Sequence, residues 1–111
     1  MSGYYQLKKS TAGKFTFNLK AGNHETILQS EVYESKASAQ IGIASVQKNG
    51  QDEKRYEMKD STNGQFYFVL KAGNGEPIGR SELYTTEAAR KNGMESVKTN
   101  SVSDTIKEVD A

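Results

Sequence analysis

The sequence predicts an α+β fold. Two tandem β-β-β-α(-β) repeats would form a single antiparallel sheet, with both helices packed on one face and a pseudo-twofold relating the halves. Three observations lead there. The chain matches itself without a gap at an offset of 51 residues, Tyr5 to Asn49 against Tyr56 to Asn100, and about half of the aligned positions are identical. The first part of each copy alternates apolar and polar residues with a period of two, and the second part carries a small-residue stripe at helical spacing. Two copies are too few for a solenoid, which takes at least three. The halves are therefore expected to complete one another as a fused pseudo-dimer, one domain over 1–111 with repeat one at 4–51 and repeat two at 55–109.

Each element follows from its residues. Tyr5 and Leu7, then Phe15, Phe17 and Leu19, point one way along two strands, and Tyr56, Met58, Phe66, Phe68 and Leu70 repeat the pattern. Ser10-Thr11-Ala12-Gly13 and Ser61-Thr62-Asn63-Gly64 join these strands as hairpins, with Gly supplying a positive φ. A second turn at Ala21-Gly22-Asn23 and Ala72-Gly73-Asn74-Gly75 leads to short strands around Ile27 to Glu31 and Ile78 to Glu82, with Pro77 at a strand start where its missing N–H does least harm. Ser35 and Thr86 are N-cap residues for helices ending near Asn49 and Asn100.

On the helical wheel Ala37/Ala88, Ser38/Ala89, Gly42/Gly93, Ile43/Met94, Ser45/Ser96 and Val46/Val97 share one face, while Ile41/Asn92 and Ala44/Glu95 face solvent. A mid-helix Gly costs about 0.8–1 kcal/mol relative to Ala, so Gly42 and Gly93 imply close approach of helix to sheet. After each helix an extended stretch follows, Lys54 to Lys59 and Thr105 to Val109, and the last of these is expected beside the first strand.

The motif residues Phe15-x-Phe17-x-Leu19-Lys20-Ala21-Gly22-Asn23, then Ser30-Glu31-x-Tyr33, then Gly42-Ile43-x-Ser45-Val46 and Asn49 recur in the second copy, with Met94 in place of Ile43. In this pattern the chain resembles the YegP-like family of small bacterial proteins. The resemblance covers nearly the whole chain and implies β-β-β-α-β units in one antiparallel sheet with exchange of C-terminal strands. It implies no activity and no catalytic residues.

Composition narrows the function. There is no Cys and a single histidine, His24, so thiolate metal sites, disulfides and cysteine nucleophiles are excluded and a histidine-based triad has one candidate base. Leu, Ile, Val and Phe number 20 of 111, a share at which disorder becomes plausible only with high net charge, and the net charge is +1. No apolar run approaches the ~20 residues that span a bilayer, and no basic start followed by an apolar stretch reads as a signal peptide. A soluble, cytoplasmic, monomeric protein without membrane attachment is the expectation.

Gly73-Asn74-Gly75-Glu76-Pro77-Ile78-Gly79 is one residue too long for a dinucleotide fingerprint and precedes a strand, so it reads as turn chemistry; no Walker A ending exists. Neither a metal site nor a cofactor is indicated, and no carboxylate pair is singled out for catalysis. Two constellations are candidate sites. Ser30, Glu31 and Tyr33 with Ser81, Glu82 and Tyr84 stand just before the helix N-caps. There the macrodipole favours a carboxylate and a Tyr can bury its ring while its hydroxyl finds a polar partner, giving either a structural role or a polar ligand site.

The outward sheet face, with Lys8, Lys20, Arg55, Lys59, Tyr67 and Lys71, has the residue types that bind single-stranded nucleic acid. Glu57 on the same face and a charge of +3 in residues 1–51 against −2 in 52–111 argue against it. The reading is a non-catalytic binding or interaction module for a protein or small polar ligand. Nucleic-acid binding and a small enzyme with a carboxylate/Tyr site are its rivals.

Overall fold

The computed structural model describes residues 3–110. Met1, Ser2 and Ala111, which complete the span expected for the domain, lie outside the described residues. The order of elements is β1 (Tyr4–Lys9), β2 (Phe15–Lys20), β3 (Thr26–Ser30), α1 (Lys36–Asn49), a short 3-10 turn (Glu53–Arg55), β4 (Tyr56–Asp60), β5 (Phe66–Lys71), β6 (Pro77–Arg80), α2 (Glu87–Asn100) and β7 (Ile106–Asp110). The strands form one seven-stranded sheet in the order β4-β5-β6-β3-β2-β1-β7, so the two repeats meet at the β3–β6 pair.

The local chemistry acts as the residue types require. Gly13 and Gly64 take φ of 79° and 81° in the two hairpin turns. Ser35 accepts from the Ser38 N–H and Thr86 from the Ala89 N–H, which satisfies one orphan donor at each helix start. In both repeats the ladder shifts register where the third strand begins. Leu28 faces Leu19 but Thr26 faces Lys20, which leaves Ile27 as the extra residue; Ile78 is its counterpart. The bulge explains why Ile27 and Leu28, neighbours in sequence, are both buried.

The core lies between the sheet and the two helices. Tyr5, Leu7, Phe17, Leu19 and Leu28 enter it from one repeat and Tyr56, Phe68, Leu70 and Ile78 from the other, against Ala39, Ile43, Val46, Met94 and Val97. α1 packs across β2, β5 and β6 and α2 across β2, β3 and β5, so each helix bridges both repeats. Neither half has a core of its own. Sharing one core suits repeats of about 50 residues, where separate burial is marginal.

Three details differ from the sequence expectation. The sheet is mostly antiparallel, but β7 runs parallel to β1, with Tyr5 opposite Ile106 and Leu7 opposite Glu108. The cause is the end of α2: the Asn100 side chain accepts from the Gly3 N–H at 2.9 Å, so the chain re-enters the sheet where β1 starts and must run with it. Second, the first helical turn is exposed at Ala37, Ser38 and Ala88, and the buried stripe in α1 is Ala39, Gly42, Ile43, Val46 and Asn49. Third, Lys54 and Arg55 form the 3-10 turn instead of opening a strand, because the Asp52 carboxylate caps it by accepting from the Lys54 N–H at 3.0 Å.

Candidate functional site

The two Ser-Glu-x-Tyr segments are divided by the structure into inward and outward parts. Ser30 Oγ accepts from the Phe17 N–H at 2.8 Å and donates to the Glu31 carbonyl at 2.7 Å. Ser81 does the same with Phe68 at 3.0 Å and Glu82 at 2.8 Å. Both hydroxyls therefore complete backbone pairing at the end of the third strand. Tyr33 stacks on Phe17 with centroids 6.1 Å apart, and Tyr84 on Phe68 at 6.5 Å.

The two Tyr hydroxyls rest against Gly42 and Gly93, and neither makes a hydrogen bond to a described residue, contrary to the expected polar partner. Burial pushes both phenols up, with the neighbouring Glu31 or Glu82 adding to it. The glutamates themselves are exposed, and the helix starts are capped by Ser35 and Thr86. Among the described residues the helix-start N–H groups of Ser38 and Ala89 are thus answered by these caps and not by a Glu31 or Glu82 carboxylate.

Glu31 and Glu82 belong instead with the open sheet face. Strand register sets Glu57, Val69, Arg80, Gln29, Asn18, Gln6 and Lys107 side by side across all seven strands on that face. Lys8, Lys20, Lys59, Tyr67 and Lys71 flank this row by strand alternation, as the sequence predicts. Arg55 does not: it lies in the 3-10 turn, 3.7 Å from the Asp52 carboxylate, beside Ala72 and Gly73.

Two adjoining concavities mark the repeat-two half of the face. One of about 610 Å³ is lined by Gln29, Tyr67, Arg80, Ser81, Glu82 and Leu83. The other, about 340 Å³, adds Glu31, Glu57, Lys59, Val69, Lys71 and Pro77 and shares Tyr67 and Arg80.

The cations on this face are not equivalent. Lys59 and Lys71 sit 3.2 and 3.0 Å from one Glu57 oxygen, and hydrogen bonds from Lys71 first and Lys59 second hold that carboxyl below the usual carboxylate range. Lys20 donates to Thr26 at 2.7 Å. Lys107 lies over the Tyr4 ring at 4.4 Å, and the Tyr4 hydroxyl meets His24 Nδ1 at 3.0 Å. Arg80 has no acidic partner among the described residues, and the ring of Tyr67 lines the same cavity. Arg80 stands outside the repeated pattern that marks the motif residues. Its signal in the sequence is the mismatch with Gln29 at the same repeat position, together with Tyr67 in place of Thr16 and Val69 in place of Asn18.

Comparison with known proteins agrees with this architecture. The model of a domain of unknown function, DUF1508, matches residues 10–57 and again 61–108. The chain belongs to the DUF1508 family. Within it, the chain is 53% identical over 108 residues to the UPF0339 protein YegP of Escherichia coli K12, covering 97% of this chain and 98% of YegP. A UPF0339 protein of Bordetella pertussis is 59% identical over 100 residues, 90% of this chain and 89% of its own.

The solution NMR structure of YegP from E. coli, a protein of unknown function, superposes with a TM-score of 0.94 at 51% identity, covering 100% of this chain and 96% of that one. A UPF0339 protein from Shewanella oneidensis gives 0.93 at 48%, covering 99% and 93%. These DUF1508 relatives establish the tandem-repeat α+β fold, and nothing in them indicates catalysis.

Among the described residues no group of three or more His, Cys, Asp and Glu converges to hold a metal ion. No helix among the described residues is long and apolar enough to cross a membrane. The open face brings together a guanidinium with no acidic partner among the described residues, a ring, paired lysines and exposed carboxylates.

Proposed function

We propose that this protein is a non-catalytic binding module whose working surface is the open sheet face around Tyr67 and Arg80. Its ligand, a small molecule or a protein segment, carries an anionic group beside a flat or apolar one. The observation that carries the reading is Arg80, a cation with no acidic partner among the described residues, in a concavity it shares with Tyr67 and Leu83. A guanidinium presents a planar fork of donors to a carboxylate or phosphate, and an aromatic ring offers area for stacking. The cavity is broad and open, which suits a ligand that is held on one side. A cytoplasmic location belongs to the same reading; fractionation of cells making a tagged chain tests it, and recovery with membranes contradicts it.

The test is an amide-shift titration with phenyl phosphate, inorganic phosphate and a short oligouridylate. Phenyl phosphate is expected to move the amides of Tyr67, Arg80 and Glu82 more than inorganic phosphate does, and Arg80→Ala is expected to abolish the effect. Shifts centred on the helices contradict the proposal.

Nucleic-acid binding is the second reading, favoured by the placement of Lys8, Lys20, Lys59 and Lys71 on one face. The pairing of Lys59 and Lys71 with Glu57, which cancels one of their two charges, weakens it. It predicts oligouridylate shifts that reach Lys8 and Lys20 and disappear steeply with added salt.

A further inference from the structure

The two ends of the sheet are chemically unlike. At one end β7 lies outside β1, and the Tyr5 N–H donates to the Thr105 carbonyl at 2.9 Å. At the other end β4, the repeat counterpart of β1, is the last strand. The repeat spacing explains this: moving β7 back by the repeat offset of 51 lands on residues 55–59, most of which are β4 itself. One segment serves as the last strand of repeat one and the first of repeat two, so among the described residues no strand covers it. Met58 is 41% exposed as a result, whereas Leu7 at the equivalent position of β1 is 2% exposed. Fusion of two repeats supplies a neighbour for one edge only.

The free edge of β4 has a definite donor and acceptor pattern. Phe66 and Phe68 direct their backbone groups away from β4, to Tyr84 and Ser81. The intervening Tyr67 and Val69 therefore bond to Lys59 and Glu57, and Tyr56, Met58 and Asp60 turn their backbone groups outward. The Tyr56 N–H is already given to the Glu53 carbonyl in the 3-10 turn. What remains includes the Tyr56 carbonyl, both groups of Met58 and the Asp60 N–H.

That set is complementary to itself. In an antiparallel pairing centred on Met58, the two Met58 residues exchange both hydrogen bonds, and each Asp60 N–H meets the Tyr56 carbonyl of the other copy. The side chains agree with the backbone. Glu57 then stands opposite Lys59 of the second copy, twice by symmetry, and the two exposed Met58 side chains cover each other.

We propose that two copies of this protein associate through β4, antiparallel about a twofold axis at Met58, so that their sheets become continuous. The contact is one short strand edge, smaller than a standard interface, so the dimer is weak and forms at micromolar to millimolar protein.

The charges make the test specific. Sedimentation equilibrium of the wild type is expected to show a concentration-dependent dimer. Glu57→Lys sets two lysines opposite each other at both symmetric positions, and Lys59→Glu sets two glutamates there, so each variant alone is expected to be monomeric. An equimolar mixture of the two restores both pairs and is expected to dimerise, which also shows that both variants fold. Met58→Lys, at a position already 41% exposed, gives the same loss should either charge variant fail to fold. A wild type that stays monomeric to millimolar concentration overturns the proposal. So do single variants that dimerise like the wild type, or a mixture of folded variants that does not associate.

Discussion

Tyr33 lies directly over Gly42: a Cβ built on that glycine would overlap the phenol oxygen and come within 2.8 Å of Cζ, and Tyr84 stands over Gly93 in the same way. The helices carry glycine where they cross the aromatic layer because no side chain fits. Gly42→Ala and Gly93→Ala are therefore expected to destabilise the fold by about 1–2 kcal/mol each, the overpacking cost outweighing the helix-propensity gain of about 1 kcal/mol. Urea unfolding checks this. Tyr33→Phe should return part of the loss at Gly42, and a Gly42→Ala protein more stable than wild type would contradict the close approach.

Ser81 and Glu82 adjoin in sequence but have opposite consequences. Ser81→Ala leaves the buried Phe68 N–H without its acceptor and is expected to cost about 1–3 kcal/mol. Glu82→Gln, on an exposed side chain, is expected to change stability by less than about 0.5 kcal/mol. Thermal melts of the two variants distinguish them, and equal effects would mean that the carboxylate has a structural partner after all.

Alkali should unfold this protein through Tyr5 and Tyr56. Their hydroxyls donate to the Ser101 carbonyl at 2.7 Å and the Gly50 carbonyl at 2.5 Å, tying the end of each helix to the sheet. Burial, the larger cause, raises both phenols well above their ordinary value near 10, and a charge interaction adds to it, with Tyr56 for Tyr5 and with Glu95 for Tyr56. The folded chain keeps protons that the unfolded chain releases. The stabilisation is thus complete below about pH 10 and declines as pH rises, by up to about 1.4 kcal/mol per pH unit for each phenol. Urea midpoints between neutral pH and pH 11 should show this fall, and a Tyr5→Phe/Tyr56→Phe protein should show a shallower one from a lower starting stability. A wild-type midpoint that does not change above pH 10 would contradict it.

His24 holds a φ of 70° at the turn position where repeat two has Gly75 at 86°. The left-handed conformation costs a side chain about 1–2 kcal/mol, and here the Tyr4 hydroxyl on Nδ1 offsets part of it. His24→Val, which keeps the strain and loses the hydrogen bond, is expected to be less stable than His24→Gly by about 1 kcal/mol or more. Chemical denaturation of the pair decides this, with equal stability as the opposing result.

Much of this architecture is legible in the sequence. The Phe15/Phe17/Leu19 and Phe66/Phe68/Leu70 ladders, the caps at Ser35 and Thr86, and the glycines at 42 and 93 each act locally or recur in both copies, and local chemistry is visible in a sequence. The direction of β7 was not, because it depends on Asn100 meeting Gly3, at opposite ends of the chain. The site was only half legible. Ser30, Tyr33, Ser81 and Tyr84 stand out by repetition, yet these four serve backbone pairing and packing. The distinctive chemistry of the open face lies at positions where the halves differ, Arg80 against Gln29 and Tyr67 against Thr16. Arg55 lies off the face expected for it because Asp52 ends the loop with a capped turn that strand alternation does not reveal.

The most direct test of the open face is affinity capture from native lysate with the wild-type chain and a Tyr67→Ala/Arg80→Ala chain side by side. Bound proteins, nucleic acids and small molecules would be identified by mass spectrometry. The account predicts at least one species retained by the wild type and lost from the variant while both chains remain folded. Identical retention by the two would mean that Tyr67 and Arg80 are ordinary surface residues.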